Sequence, residues 1–144
     1  MQATDMLHED YAHLVELFSR FEDAVDDEER QEIIGGVLER LAIVEALEQE
    51  IALPAVRIAT GNGQAIETGD EEYREQLRLM REVAQQQPPE ERYARFTELA
   101  ESVFRHIQLA EDQMLPKLEK VDSGELGDRM ARRRAELEQV RLFL

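Results

Sequence analysis

Residues 96–118 read FTELAESVFRHIQLAEDQMLPKL and decide the fold. Apolar side chains recur in this stretch every three or four residues, at Phe96, Ala100, Val103, Ile107, Ala110, Met114 and Leu118. Because an α-helix has about 3.6 residues per turn, this spacing places them on one helical face. The stretch therefore predicts a long amphipathic helix, from about Pro89 to Lys120, whose apolar face packs against other helices.

Similar apolar stripes predict three helices before this one and another after it. They run from about Thr4 to Val25, from Asp27 to Leu53 and from Asp70 to Gln86, and the last follows Ser123. Asp26 and Glu29 have the spacing of a capping box at the start of the second helix. Alternation typical of β-strands is nearly absent, so the chain is predicted to be all-α.

Short connections between four amphipathic helices favour an up-down-up-down four-helix bundle. We assign the bundle to residues 1–122, and residues 123–144 to an additional C-terminal helix packed on the bundle or on a partner. The arginines of this last segment are expected to lie against the acidic body of the chain.

Glycines and prolines set the predicted boundaries. Pro54 is expected to end the second helix, because proline cannot continue the helical hydrogen bonds. A loop is predicted from Arg57 to Gly69. Gly35 and Gly36 fall inside the second helix, where each costs about 1 kcal/mol relative to alanine. They indicate a late helix start or, as we favour, a close backbone contact with a neighbour.

The charge balance restricts the partners. The chain has 17 Lys and Arg against 33 Asp and Glu, a formal net charge of −16. This charge repels phosphate backbones and anionic lipids, so we expect no nucleic-acid or membrane partner and consider a protein partner or a homodimer instead.

The chain has no cysteine, so a metal would need oxygen and nitrogen ligands. Without a leader-like start or a long apolar run, the expected location is cytoplasmic.

Five polar residues are predicted to point into the bundle, and they form the candidate site: Tyr11, Glu48, Tyr73, His106 and Glu111. Glu48 lies inside the second apolar stripe, and a carboxylate is seldom buried without a partner. His106 and Glu111 flank the fourth stripe from opposite sides. The two tyrosines occupy the centres of the first and third stripes.

These residues allow two interpretations. In the first, the carboxylates, the imidazole and the phenols hold iron or manganese, which suit oxygen and nitrogen ligands. In the second, they form a metal-free network: each tyrosine donates a hydrogen bond to Glu48 or Glu111, and His106 balances a carboxylate. The residues alone favour the network. No nucleophile has an adjacent base, so no catalytic residue is predicted.

Four segments resemble the hemerythrin-like family, the HHE cation-binding domains. They are residues 7–18 (LHEDYAHLVELF), 37–56 (VLERLAIVEALEQEIALPAV), 71–79 (EEYREQLRL) and 104–118 (FRHIQLAEDQMLPKL). In that family, helix two ends in His-x-x-x-Glu before a pair such as Tyr-Pro, and helix four carries His-x-x-x-x-Asp/Glu before Phe-Pro-Lys-Leu. Here Glu48 precedes Leu53-Pro54, and His106 and Glu111 precede Leu115-Pro116-Lys117-Leu118.

The resemblance implies an iron site with substituted ligands. Glu48 and Glu111 match the carboxylates that bridge the iron pair, and His106 matches the helix-four histidine. The family's four other histidine positions hold Tyr11, Val44, Tyr73 and Leu77. Because valine and leucine cannot coordinate a metal, the site is either altered, with phenolate ligands to iron, or replaced by hydrogen bonds.

Two functions follow from these alternatives. The first is a non-catalytic regulatory or interaction module with a vestigial metal site and no cofactor. The second is an iron-binding protein with an altered Tyr/Glu/His site that acts in oxygen, nitric oxide or redox sensing or in iron handling. The hydrocarbon side chains of Val44 and Leu77 favour the first.

Overall fold

The computed structural model describes residues 1–61 and 64–140, apart from the side chains of residues 64–69. In this part of the chain every regular element is helical, as predicted. The elements are α1 (Ala3–Asp23), α2 (Asp27–Leu47), α3 (Leu53–Thr60), α4 (Gln64–Ala84), α5 (Pro89–Leu109), α6 (Leu115–Val121) and α7 (Gly124–Gln139). Two π-helical turns, π1 (Glu48–Ala52) and π2 (Ala110–Met114), join α2 to α3 and α5 to α6.

The chain forms a four-helix bundle with an additional helix, which confirms the predicted architecture. The bundle consists of α1, the rod α2–π1–α3, α4 and the rod α5–π2–α6. The closest neighbours are α1 with α2 and α4 with α5, while α7 lies against α1 and α2. Apolar residues from all four bundle helices and from α7 fill one continuous core. None of the helices in the described ranges is long and apolar enough to cross a membrane.

Pro54 does not end the second helix, contrary to the prediction. In π1 the Leu53 N–H bonds the Glu48 carbonyl, five residues back, and Pro54 is the second residue of the helix that follows. A proline is tolerated in a first turn, where its missing N–H is not needed. π2 precedes Pro116 in the same way. The wider turn thus lets each rod continue past its proline.

The predicted loop over Arg57–Gly69 is also wrong. The rod extends to Thr60 and ends at Gly61, which adopts a left-handed conformation with φ of 60°. The next helix, α4, already begins at Gln64. Asn62 and Gly63, which the predicted loop included, lie outside the described residues, as do residues 141–144 of the C-terminal segment.

Gly35 and Gly36 make no close contact with a neighbour, which overturns the favoured explanation. A Cβ atom at either position would meet nothing within 4 Å, and both residues lie inside α2. The helix starts where the capping pattern predicts, because the Asp26 side chain accepts a hydrogen bond of 2.8 Å from the Glu29 N–H. The helix therefore bears the cost of two glycines without a visible packing gain.

Ion pairs attach α7 to the bundle, as the arginine pattern predicted. Arg133 makes two hydrogen bonds of 3.0 and 3.1 Å to the Glu50 carboxylate in π1. Arg134 contacts the buried Asp10 of α1, and Arg40 lies 3.6 Å from the same carboxylate. A buried carboxylate is costly unless it is paired, so these contacts hold α7 across α1 and α2.

Candidate functional site

Glu48 lies at the centre of the bundle, where α2 passes into π1. Its side chain is buried, with 2% of the residue exposed. The Tyr11 hydroxyl of α1 donates a hydrogen bond of 2.5 Å to Glu48 Oε2. His106 of α5 places Nε2 3.0 Å from Oε1 and 2.8 Å from Oε2 of the same carboxylate. Three helices thus meet in one cluster, Tyr11–Glu48–His106.

The surroundings of the cluster determine which of its side chains are protonated at neutral pH. Burial and the charge of Glu48 raise the pKa of Tyr11 well above its ordinary value, so the hydroxyl keeps its proton and acts as a donor. Burial alone would lower the pKa of His106, but the charge and hydrogen bond of Glu48 outweigh it and raise this pKa to about 9. At neutral pH the imidazolium of His106 therefore balances the Glu48 carboxylate.

A second buried pair lies beside the cluster. Glu45 and Gln76 are 3% and 2% exposed, and the Gln76 amide donates a hydrogen bond to Glu45 Oε1. Burial raises the pKa of Glu45 to about 8, against the smaller lowering effect of the Gln76 hydrogen bond. Among the described residues, Gln76 Oε1 and Glu72 Oε2 are buried without a hydrogen-bond partner. The interior is therefore more polar than the apolar stripes suggested.

The sequence interpretation missed Glu45 and Gln76. It placed Tyr73 at the centre of the third stripe, whereas the buried face of α4 carries Gln76, Leu79, Met80 and Val83. Those four have the i, i+3, i+4, i+7 spacing of one helical face, and this pattern was the available signal. Because Gln76, at the first of the four positions, is polar, the pattern was not recognised as a buried face.

Glu111 does not point into the bundle, contrary to the prediction. Its side chain is exposed, and the buried residues of π2 are Ala110 and Met114. The π turn breaks the regular helical spacing from which the inward position of Glu111 was extrapolated. Its charge still raises the pKa of Tyr11, although less than burial and Glu48 do. Glu111 therefore lies outside the cluster, near enough to act on it electrostatically.

Tyr73 is only partly buried, so it is not the central residue that its stripe predicted. Burial raises the pKa of its hydroxyl, and the charges of Glu45 and Glu48 contribute in the same direction. No hydrogen bond joins it to Glu48 or Glu111, both of which are among the described residues. Of the five predicted site residues, the structure brings three into direct contact and leaves Tyr73 and Glu111 at the margin.

The residues present do not fit a di-iron site. Tyr11 and His106 both engage the Glu48 carboxylate, and the second expected bridging carboxylate, Glu111, is exposed. Val44 presents hydrocarbon at a position where the family has a histidine, and it is buried. Within the described ranges, no group of three or more histidine and acidic side chains is arranged to hold a metal ion.

Comparison with known proteins bears on the fold. The structure is similar to that of a hemerythrin HHE cation-binding domain-containing protein from Mycobacterium kansasii, with a TM-score of 0.78 and 23% sequence identity. The match covers 98% of this chain and 88% of that protein. By sequence, the chain matches no family model and has no significant match among curated proteins. The predicted resemblance is thus confirmed in three dimensions: this chain has the hemerythrin-like fold of the HHE cation-binding domains.

Proposed function

We propose that the chain is a non-catalytic regulatory or interaction module, in which the Tyr11–Glu48–His106 cluster replaces the iron site that the fold implies. The observation that carries this proposal is the contact of one buried carboxylate with both a tyrosine hydroxyl and a histidine. A buried carboxylate needs a counter-charge and hydrogen bonds. Here His106 supplies the charge and Tyr11 supplies a donor, so the carboxylate needs no cation.

The position of the cluster argues against catalysis. Tyr11 and Glu48 are almost completely buried, and only 17% of the His106 side chain is exposed. A general acid or base must come within hydrogen-bond reach of its substrate, directly or through one water. Groups held this deep, and already bonded to each other, are suited to fixing the packing of three helices. The function then depends on the surface that the bundle presents to a protein partner.

Metal binding at an altered site is the second candidate. It is favoured by the convergence of a phenol, a carboxylate and an imidazole, which are ligand types suited to iron. In that case Glu48, His106 and Tyr11 would hold the metal, and it would supply redox chemistry or affinity for a small gas. The sensing or iron-handling functions would follow from this chemistry.

Thermal unfolding with added metal separates the two candidates. A ligand that binds only the native state raises the Tm by mass action. For the interaction module we expect the same Tm with and without anaerobic Fe²⁺ or Mn²⁺. Glu48→Gln is the matched control, because it removes the charge at the centre and leaves the acidic surface unchanged. A Tm that rises with metal in the wild type, and does not rise in Glu48→Gln, would overturn the proposal in favour of the metal site.

A further inference from the structure

A groove lies between α1, α2 and the end of α7. Leu17 of α1, Ile43 of α2 and Leu137 of α7 line it, together with Val140, the last of the described residues. The groove has a volume of about 400 Å³, within the range of about 300–1,000 Å³ typical of binding clefts. Val140 is 58% exposed, so the end of α7 leaves apolar surface open at the edge of the groove.

Gly36 widens this groove. It belongs to the lining, and a Cβ atom there would meet nothing within 4 Å. Gly35, its neighbour in α2, has the same free space but is not part of the lining. A glycine inside a helix costs about 1 kcal/mol relative to alanine. At Gly36 this cost leaves room for another segment of chain to approach the backbone of α2.

The chain itself leads into the groove. The helix α7 ends at Gln139, and Val140 of the lining is followed by residues 141–144, whose sequence is Arg-Leu-Phe-Leu. Three of these four residues are apolar, and apolar side chains gain free energy when they leave water. Four extended residues span about 13 Å. The wall of α2 from Gly36 to Ile43 is about 10 Å long, so the segment matches the groove in length and in apolar character.

The charges of the groove fit the same segment. Among the described residues, the ionisable side chains of the lining are His13, Glu39, Arg40 and Glu138. Arg40 already lies 3.6 Å from the buried Asp10 carboxylate. Glu39 and Glu138 form no ion pair with a described residue. With histidine counted as neutral, the lining has one negative charge in excess, and the positive charge of Arg141 offsets it.

We infer that residues 141–144 fold back into the α1–α2–α7 groove, with Phe143 as the principal apolar contact. Because the segment is tethered at Val140, its effective concentration is in about the millimolar range, above that of a free partner. A second copy of the chain is disfavoured, since each copy has a formal charge of −16. The inference is independent of the proposed function, which concerns the Tyr11–Glu48–His106 cluster. It implies that a protein partner binds another face of the bundle or displaces this segment.

Tryptophan fluorescence tests the inference. The chain has no tryptophan, so in Phe143→Trp the emission reports on the segment alone. We expect this emission to lie to the blue of its position in urea, and quenching by acrylamide to be several-fold weaker than in urea. Adding Gly36→Leu fills the groove and should move both values towards those in urea. Gly35→Leu is the matched control, because it places the same side chain on α2 outside the lining, and it should change neither value.

Other outcomes overturn the inference. Emission and quenching in the native protein that equal those in urea would show that the segment is in water. Buried emission that Gly36→Leu leaves unchanged would place the segment elsewhere, and equal effects of the two glycine variants would show a disturbance of α2 itself. If the emission shifts to the red on dilution while a dimer dissociates in sedimentation, the segment of a second copy fills the groove.

A measurement without substitutions covers the case in which Gly36→Leu loses its helical circular dichroism. Nuclear Overhauser effects in the wild type should join the ring of Phe143 to the methyl groups of Leu17 and Ile43, which line the groove from α1 and α2. Their absence, in a spectrum that shows such effects within the core, would contradict the inference.

Discussion

Removal of the Tyr11 hydroxyl tests whether the cluster stabilises the bundle. The substitution Tyr11→Phe keeps the ring and deletes the hydrogen bond of 2.5 Å to Glu48. Tyr11 is 1% exposed, so water cannot easily replace the donor. A hydrogen bond to a charged group contributes about 1.5–3 kcal/mol. Because His106 still contacts Glu48, we expect the free energy of unfolding to fall by about 2 kcal/mol.

The assay is urea and thermal denaturation followed by circular dichroism. For a chain of this size about 1 kcal/mol corresponds to about 2–4 °C, so the Tm of Tyr11→Phe should fall by about 4–8 °C. Tyr93→Phe is the matched control, because it deletes an exposed hydrogen bond of 2.6 Å to Asp27, and it should change stability by less than about 0.5 kcal/mol. Equal midpoints for Tyr11→Phe and the wild type would refute the reasoning that the buried hydroxyl satisfies Glu48.

Three further predictions concern pH, a glycine and a helix cap. The folded protein raises the pKa of Glu45 from 4.5 to about 8 and the pKa of His106 from 6.5 to about 9, so both groups bind protons more tightly when the chain is folded. The free energy of unfolding should therefore fall as pH rises from about 5 to 9. Denaturation across this range should show a shallower fall for Glu45→Gln, and constant wild-type stability would contradict the assignment. Gly35→Ala should stabilise the protein by about 1 kcal/mol, because the Cβ atom of the new alanine would meet nothing within 4 Å. A urea midpoint lower than that of the wild type would contradict this prediction. Asp122→Ala should cost about 1–2 kcal/mol, because Asp122 accepts hydrogen bonds from the Ala3 and Thr4 N–H groups at the start of α1; an unchanged Tm would exclude this capping role.

Much of the fold could be predicted from the sequence, because helical periodicity and capping are local properties. The long stripe around Ile107 predicted one rod from about Pro89 to Lys120, and the structure has α5–π2–α6 from Pro89 to Val121. The capping pattern at Asp26 marked the start of α2 correctly, and the last helix follows Ser123 as predicted, with the Ser123 side chain accepting a hydrogen bond from the Leu126 N–H. In these segments the apolar spacing and the cap agree, which is the condition under which local rules are reliable.

The errors arose where the helix departs from regular geometry. The π turns carry the rods past Pro54, and they turn Glu111 out of the face on which regular spacing placed it. Local propensity rules do not include a shift of hydrogen-bond register. The buried Gln76 was missed for another reason: its burial depends on a partner, Glu45, that lies 31 residues earlier in the chain. Only the packing of α4 against α2 brings the two side chains together.

The metal content of the purified protein tests the central claim most directly, because that claim is that hydrogen bonds replace the iron site. The protein should be made untagged in medium rich in iron and manganese, then measured by mass spectrometry together with its absorption spectrum. We expect no metal in stoichiometric amount and no visible absorption band. Stoichiometric iron would contradict the account, whether as a pair with the bands of an oxo bridge or as a single ion with the charge-transfer band of a tyrosine phenolate.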